Sequence, residues 1–330
     1  MISACKTRIP LILSILALMV ALWASLTMGR FALSLRQILE IALCGGGDAM
    51  ARNVFLNIRL PRTLLAAISG MGLALAGWTY QSLFMNVLAS PDVLGVGSGC
   101  SVGAVLGILM GAGGMAMQFM ALGSGLMAVV LSMALARWIG RQRSAALLLS
   151  GIIVGAVCNA VLMLFKYLAD PNRQLAVIDY WLMGSFHTAK WRDITSVLPM
   201  VFICGAVILA LRHPIRLMSL GDEEAMSLGI PATWIRRIAL LCATAAVAAI
   251  VSVAGIVSWI GLIVPHMSRI WIKRDAPAPC LLLGGCLLLV ADTIARCAAA
   301  SEIPISILTS LMGAVFLLIL LAMRRRGEMA

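Results

Sequence analysis

Charge is scarce in this chain, and no stretch is polar for long enough to fold as a soluble domain. Charged residues make up 12% of the sequence, against roughly 25% in soluble domains. Most of the thirteen Asp and Glu fall in loops or at the ends of apolar runs, so the deep carboxylates of a proton-coupled carrier are missing. The Gly-x-x-x-x-Gly-Lys-Ser/Thr loop that cradles nucleotide phosphates is also missing, which excludes ATP binding by that route. There is no His-Glu-x-x-His or comparable ligand cluster, and His187, His213 and His266 are the only histidines; the sequence offers neither a metal site nor a catalytic cluster. Nine cysteines form no Cys-x-x-Cys pair, so they support neither a disulfide framework nor zinc and read as small packing residues. Apolar runs are continuous rather than alternating, which argues against a β-barrel.

What the chain has instead is apolar length. Hydrophobic residues reach 62% and mean hydropathy is +1.05, which implies an all-α polytopic membrane protein in which residues 1–330 form a single domain. Approximate spans are 10–28, 60–84, 93–112, 116–136, 144–165, 194–211, 238–258, 259–272, 278–296 and 304–323. Lys6 and Arg8 precede the first run without an obvious small-residue cleavage site, so it reads as an uncleaved span. Ten crossings put both termini on one side. Arg324, Arg325 and Arg326 at the far end join Lys6 and Arg8 in marking that side as cytoplasmic. Residues 29–58 then form a periplasmic loop, and 212–237 a cytoplasmic region. The net charge of +12 reflects such span ends rather than nucleic-acid binding.

Residues 236–274 carry the sharpest signal. Arg236-Arg237 and Lys273-Arg274 bracket 35 almost wholly apolar residues. If both pairs are cytoplasmic, the segment crosses and returns, yet one crossing takes roughly 20 residues. The return leg is therefore short or broken. Pro265 and the glycines of the segment, Gly255 and Gly261, are where a break is tolerated, with Gly261 and Pro265 the expected site, and His266 reads as a packing or hydrogen-bonding residue. Broken intramembrane helices are typical of transporters. The third span adds a ladder at Gly95, Gly99, Gly103, Gly107 and Gly111, and the second has small faces at Gly70/Ala74 and Gly72/Ala76; both predict close helix packing.

Two surfaces look shaped for partners. Arg52, Arg59 and Arg62 stand in or beside the outer loop, where positive charge is disfavoured; Pro61 suits the first turn of a helix there. Arg296 meets that surface from the other end of the chain, four residues after Asp292, a spacing that suits an ion pair. Snorkelling at lipid headgroups explains these arginines without a partner; the functional alternative is a basic platform for an acidic protein. On the inner side, Asp222, Glu223 and Glu224 open a short helix that Gly229 and Pro231 close. It is either a plain connector or a lever for a soluble motor.

Taken together, these blocks resemble the FecCD/BtuC-type permeases of bacterial ABC importers for iron chelates, haem and cobalamin. The matching residues are Arg59-Leu-Pro-Arg62, Gln81 through Asn86-Val-Leu-Ala-Ser-Pro-Asp-Val-Leu-Gly95, Tyr180-Trp-Leu-Met-Gly184, Leu220-Gly221 through Ala225 to Leu228-Gly229, Gly261-Leu-Ile-Val-Pro-His266 with Arg269, Asp292 through Arg296, and Ile303-Pro304. The resemblance implies a BtuC-like fold of ten spans and a transport subunit that is not itself an enzyme. It implies a second permease subunit, most simply an identical copy, and two cytoplasmic ATP-binding subunits that hold ATP and Mg²⁺, with no cofactor in this chain. The ATPase would press on Gly221, Asp222, Glu223, Ala225, Gly229 and Pro231. A periplasmic substrate-binding protein would dock on Arg59, Arg62 and Arg296. The gate falls at Asn86 and Leu88, with Val87 in place of the family's proline, and a second gate at Ser144 and Ala145. The implied cargo is an iron–siderophore or related chelate, with cobalamin or haem as alternatives, imported by alternating access across the bacterial inner membrane. A secondary transporter working without an ATPase is the competing class.

Overall fold

The computed structural model describes residues 2–29, 31, 33–44, 48–139, 143–272, 275–299 and 301–325, the side chains of 2–8, 35, 42–44, 143, 144, 324 and 325 excepted. The side chains at 6, 8, 141, 143, 273, 274 and 324–326, on which the sidedness expectation leans, thus lie outside the described ones, as does the side chain of Ser144. Every regular element among the described residues is helical.

Among the described residues, eight helices are long and apolar enough to cross a bilayer: α1 (Ile2–Thr27), α4 (Leu60–Phe84), α6 (Gly114–Ile139), α7 (Arg143–Leu168), α9 (Trp191–Ala210), α12 (Ala232–Ala254), α14 (Pro277–Cys297) and α15 (Ile305–Arg325). Two shorter apolar helices, α5 (Val96–Leu109) and α13 (Ile260–Ile272), account for the remaining expected spans. Among the described residues there are also the short helices α2 (Leu35–Cys44), α3 (Ala49–Asn53), α8 (Leu175–Leu182), α10 (Arg212–Met218) and α11 (Asp222–Ser227). The centre of the bundle is α4, α12 and α14, whereas α1, α7, α9 and α15 leave most of their apolar surface uncovered. Such an inversion suits helices that face lipid or another subunit rather than water.

Small residues set the packing, as their spacing predicted. A side-chain carbon at Gly70 of α4 would fall 2.3 Å from the carbonyl oxygen of Gly284 in α14. On α5, Gly99, Gly103 and Gly107 lie against α6, where a carbon at Gly103 would meet the Met120 carbonyl at 2.2 Å. The other two glycines of the ladder differ: Gly95 (φ 74°) and Gly111 (φ 66°) end turns in the left-handed region.

Three local expectations need correction. Residues 29–58 are not a plain loop, since α2, α3 and a π turn at Val54–Arg59 lie within them, and helix runs continuously from Ala49 through α4. Pro61 therefore stands inside a helical run, not at a free start. Its ring clashes with the carbonyl four residues back, and the wider π turn immediately before α4 accommodates it. The break in the 236–274 segment is also not at Gly261 or Pro265, which both sit inside α13. It falls at 255–259, between α12 and α13, where Gly255 (φ 69°) turns the chain and Trp259 (φ 72°) is strained. Pro265 leaves the Gly261 carbonyl without its usual helical donor. That oxygen instead abuts Gly77 of α4, where an added carbon would come within 1.8 Å. A proline close to a helix start, beside a glycine on the neighbouring helix, can be absorbed without a break.

Candidate functional site

At one end of the bundle, the C-terminal ends of α1 and α14 meet the first turn of α4. There Arg62 is buried between two carboxylates. Its Nε and Nη2 donate to Asp292 (Nη2 to Oδ1 at 2.8 Å), and its Nη1 donates to both Glu302 oxygens at 3.0 and 2.8 Å. Arg296 donates through Nη2 to the Ser25 carbonyl and hydroxyl at 2.8 and 2.9 Å, with Nε 3.7 Å from Asp292 Oδ2. Arg59 donates to the carbonyls of Leu26 (2.8 Å), Thr27 (2.9 Å) and Phe31, covering orphan oxygens at the end of α1. His187 Nδ1 stands 3.4 Å from Glu302 Oε2 and is exposed.

The structure thus brings Arg59, Arg62 and Arg296 together, as expected, but sinks all three to 6% exposure or less. The hydrogen bonds they make run to groups of this same subunit. This does not match an open platform: reversing the charge of Arg62 would set three carboxylates together in a buried site, which is costly. Exposed cations at this end include Arg52, Lys190 and Arg192. They are neighbours in space, because the Trp191 indole donates to the Leu56 carbonyl at 2.9 Å. Sequence reasoning singled out Arg52 but missed Lys190 and Arg192, which lie more than 130 residues further along the chain.

At the opposite end, α10, α11 and the start of α12 form the connector. Gly221 (φ 128°) and Gly229 (φ 80°) bound α11, as the sequence predicted. Asp222 opens it, and both Asp222 oxygens accept from Arg236 of α12, one of them at 2.8 Å from Nη1. The short helix is therefore tied to the bundle: Ala225 is buried, and Arg236 at 5% exposure anchors α11 to α12. Glu223, Leu220, Met226, Leu228 and Pro231 face outward.

A second network lies beside it. Asp275, before α14, accepts at Oδ1 from the Trp78 indole at 2.8 Å, and its carbonyl accepts from Arg216 of α10. Arg269 of α13 approaches Asp275 Oδ1 at 3.6 Å and donates to Gln81 Oε1. Gln81 in turn donates to the Leu262 carbonyl at 3.0 Å. Gln81 and Arg269 stood in the sequence blocks without a role; here they join α4 to α13. His266 packs edge-on to Phe316 of α15, ring centres 5.9 Å apart.

Just beyond Gln81 comes the gate segment. Met85 (φ 50°) ends α4, and Asn86 Oδ1 accepts from the Leu88 amide at 2.9 Å. This Asx turn holds the loop's shape where the family's proline is replaced by Val87. Asn86, Val87 and Leu88 are exposed, as is Ala145 at the start of α7. Residues 86–88 follow the last turn of α4 and Ala145 lies in the first turn of α7, so both expected gate segments stand at the connector end, while residues 93–95 pack deeper on α7, where Gly151 admits the Val93 carbonyl.

Comparisons with known proteins agree with this architecture. The family model described as "FecCD transport family" matches residues 17–323. A molybdate import system permease of Haemophilus influenzae is 35% identical over 324 residues, 95% of each chain. A cobalamin import system permease of Halobacterium salinarum is 38% identical over 270 residues, 80% of this chain and 72% of that one. A solved structure described as an inward-facing conformation of an ABC transporter assigned to the metal-chelate type superposes with TM-score 0.86 at 32% identity, covering 94% of this chain and 98% of the other. The chain belongs to the FecCD transport family. It is a multi-pass permease subunit of an ABC importer with the BtuC-like fold, a class that works with ATPase and substrate-binding partners.

Proposed function

We propose that this permease carries a metal chelate, an iron–siderophore first, into the cytoplasm by alternating access. Cobalamin and haem are the alternative cargoes. The chelate reading is supported by the likeness to the metal-chelate type transporter. The permease works as a pair of identical subunits in the inner membrane, both termini cytoplasmic, and the apolar faces left open on α7 and α15 suit such pairing. Two ATP-binding subunits, which hold the ATP and Mg²⁺, engage the connector. The observation that carries this reading is the connector itself. Its exposed tip (Leu220, Met226 and Leu228) is clamped through Asp222 and Arg236 to α12, one of the most buried helices. A push on that tip reaches the bundle centre.

A periplasmic binding protein docks at the opposite end. Arg52, Lys190 and Arg192 supply the exposed positive charge that steers an acidic partner, while Arg59, Arg62 and Arg296 hold the helix ends beneath it. Asn86 and Leu88, with Ser144 and Ala145, close the path at the cytoplasmic end.

Proteoliposomes test the reading. A labelled ferric siderophore, haemin and cyanocobalamin are offered, each with its binding protein, with and without co-reconstituted ATPase and ATP. One cargo should accumulate only when ATPase, ATP and binding protein are all present. Gradient-driven uptake without the ATPase would instead make this a secondary transporter.

A further inference from the structure

A cavity of about 260 Å³ lies between the segments that precede the two short helices α5 and α13. Its lining includes Ser90, Pro91 and Asp92 from one segment, and Ser258 and Trp259 from the other. Depth follows from the neighbours. Residues 93–95 rest on Gly151 and Gly155 of α7, eight to twelve residues into that helix. At 1.5 Å per residue this is about 12–18 Å from its connector end. A hydrocarbon core is about 30 Å thick, so Asp92 sits close to the mid-plane.

Among the described residues, no side chain donates a hydrogen bond to the Asp92 carboxylate, and no cation pairs with it. It is nonetheless accessible to a water-sized molecule within the cavity. A charged side chain at this depth normally has a partner, or faces a water-filled cavity. The starts of α5 and α13 offset part of its charge, since helix N-termini are positive. Without the carboxylate, those same helix ends would favour an anion, as discontinuous helices do in other transporters. The sign of the cavity therefore depends on one residue. The sequence reading passed over Asp92 because it placed this residue at the edge of the third span.

We propose that this cavity is a water-accessible station on the translocation path, and that Asp92 sets its sign. The cargo passing it presents a cationic or neutral face, and a bare oxyanion is disfavoured. This rests on the importer reading and narrows its substrate class: it separates this chain from a carrier of an oxyanion such as molybdate, the cargo named for the Haemophilus relative.

The test needs no cargo. In full-length protein with its nine cysteines replaced, Ser258→Cys is reacted with a cationic and with an anionic methanethiosulfonate. Met110→Cys, on the exposed turn after α5, gives the reference ratio of the two rates. Relative to that reference, the cation should be favoured at Ser258→Cys by on the order of tenfold or more, the scale of one charge at close range. Asp92→Asn should abolish or invert the preference, and Asp92→Glu should keep it. A ratio indifferent to Asp92→Asn overturns the assignment of sign. No labelling by either reagent, with or without ATPase and ATP, overturns the station itself. A normal charge preference in a protein whose uptake ignores ATP would instead preserve the station and remove the importer reading.

Discussion

Glu302 is the outer of two carboxylates that share Arg62, and it gives the arginine end its acid sensitivity. Burial alone would raise its pKa; the Arg62 charge and hydrogen bonds, with help from His187, more than offset this and hold it below the ordinary range. A carboxylate depressed in the folded state stabilises fully above its unfolded pKa of about 4.3. That stability is lost as pH falls through the lower folded value. Detergent-solubilised protein should therefore lose thermal stability progressively below about pH 4.5. Glu302→Gln should be less stable at neutral pH and show a flatter acid limb in a melting-temperature series. An acid limb as steep in the variant as in the parent would remove Glu302 from this role. The pairing of Arg296 with Asp292 was legible from their spacing of four. The pairing of Arg62 with Asp292 and Glu302, 230 and 240 residues away, was not, because a sequence shows which charges are out of place but not which partners the fold brings to them. Hence the arginines read as a platform and turned out to be buried.

At the scale of elements, positive φ and small-residue spacing decide where helices break and how closely they pass. Gly77 meets the Gly261 carbonyl at a distance no side chain tolerates, so Gly77→Ala must push α13 away from α4. Overpacking of this kind typically costs about 1–3 kcal/mol, and here the obstacle is backbone. Gly113, on the turn between α5 and α6, has open space around the added carbon, and Gly113→Ala should leave stability within about 0.5 kcal/mol. Thermal unfolding of both variants in the same detergent separates them; equal behaviour would mean that α4 and α13 are not in close contact. The ten spans, the glycine faces and the connector helix were all readable, since each leaves a local signature of length, period or cap. The site of the helix break was not. Proline drew attention to 265, but a proline near a helix start is tolerated when its orphan carbonyl has somewhere to go, and that depends on Gly77 in another helix. The break went to Gly255, which the sequence offered only as one of two glycines in the segment able to tolerate it.

At the scale of the whole molecule, the proposed function requires that motion of the connector reach the gate segments. Two polar chains bridge the gap. Asp222 and Arg236 fasten α11 to α12, and Arg216, Asp275, Arg269 and Gln81 link α10 through α13 to the residues just before Asn86. Spatial continuity alone does not establish coupling; a change in the ratio of work done to ATP consumed does. Asp222→Asn keeps the side chain's shape but removes the charge facing buried Arg236, so α11 should slip relative to α12 while its outward face remains available to the ATPase. In proteoliposomes with ATPase and binding protein, this variant should still hydrolyse ATP but import about tenfold less cargo per ATP, within the 5–150-fold span of typical coupling energies. Asp222→Glu, which keeps the charge, should recover much of the loss. A purely structural role would lower ATPase binding, protein yield and import together, leaving the ratio unchanged. If Asp222→Asn leaves cargo per ATP at the parent value, the motion reaches the gates by another route, and the tie from Arg216 through Asp275 to Gln81 becomes the one that must carry it.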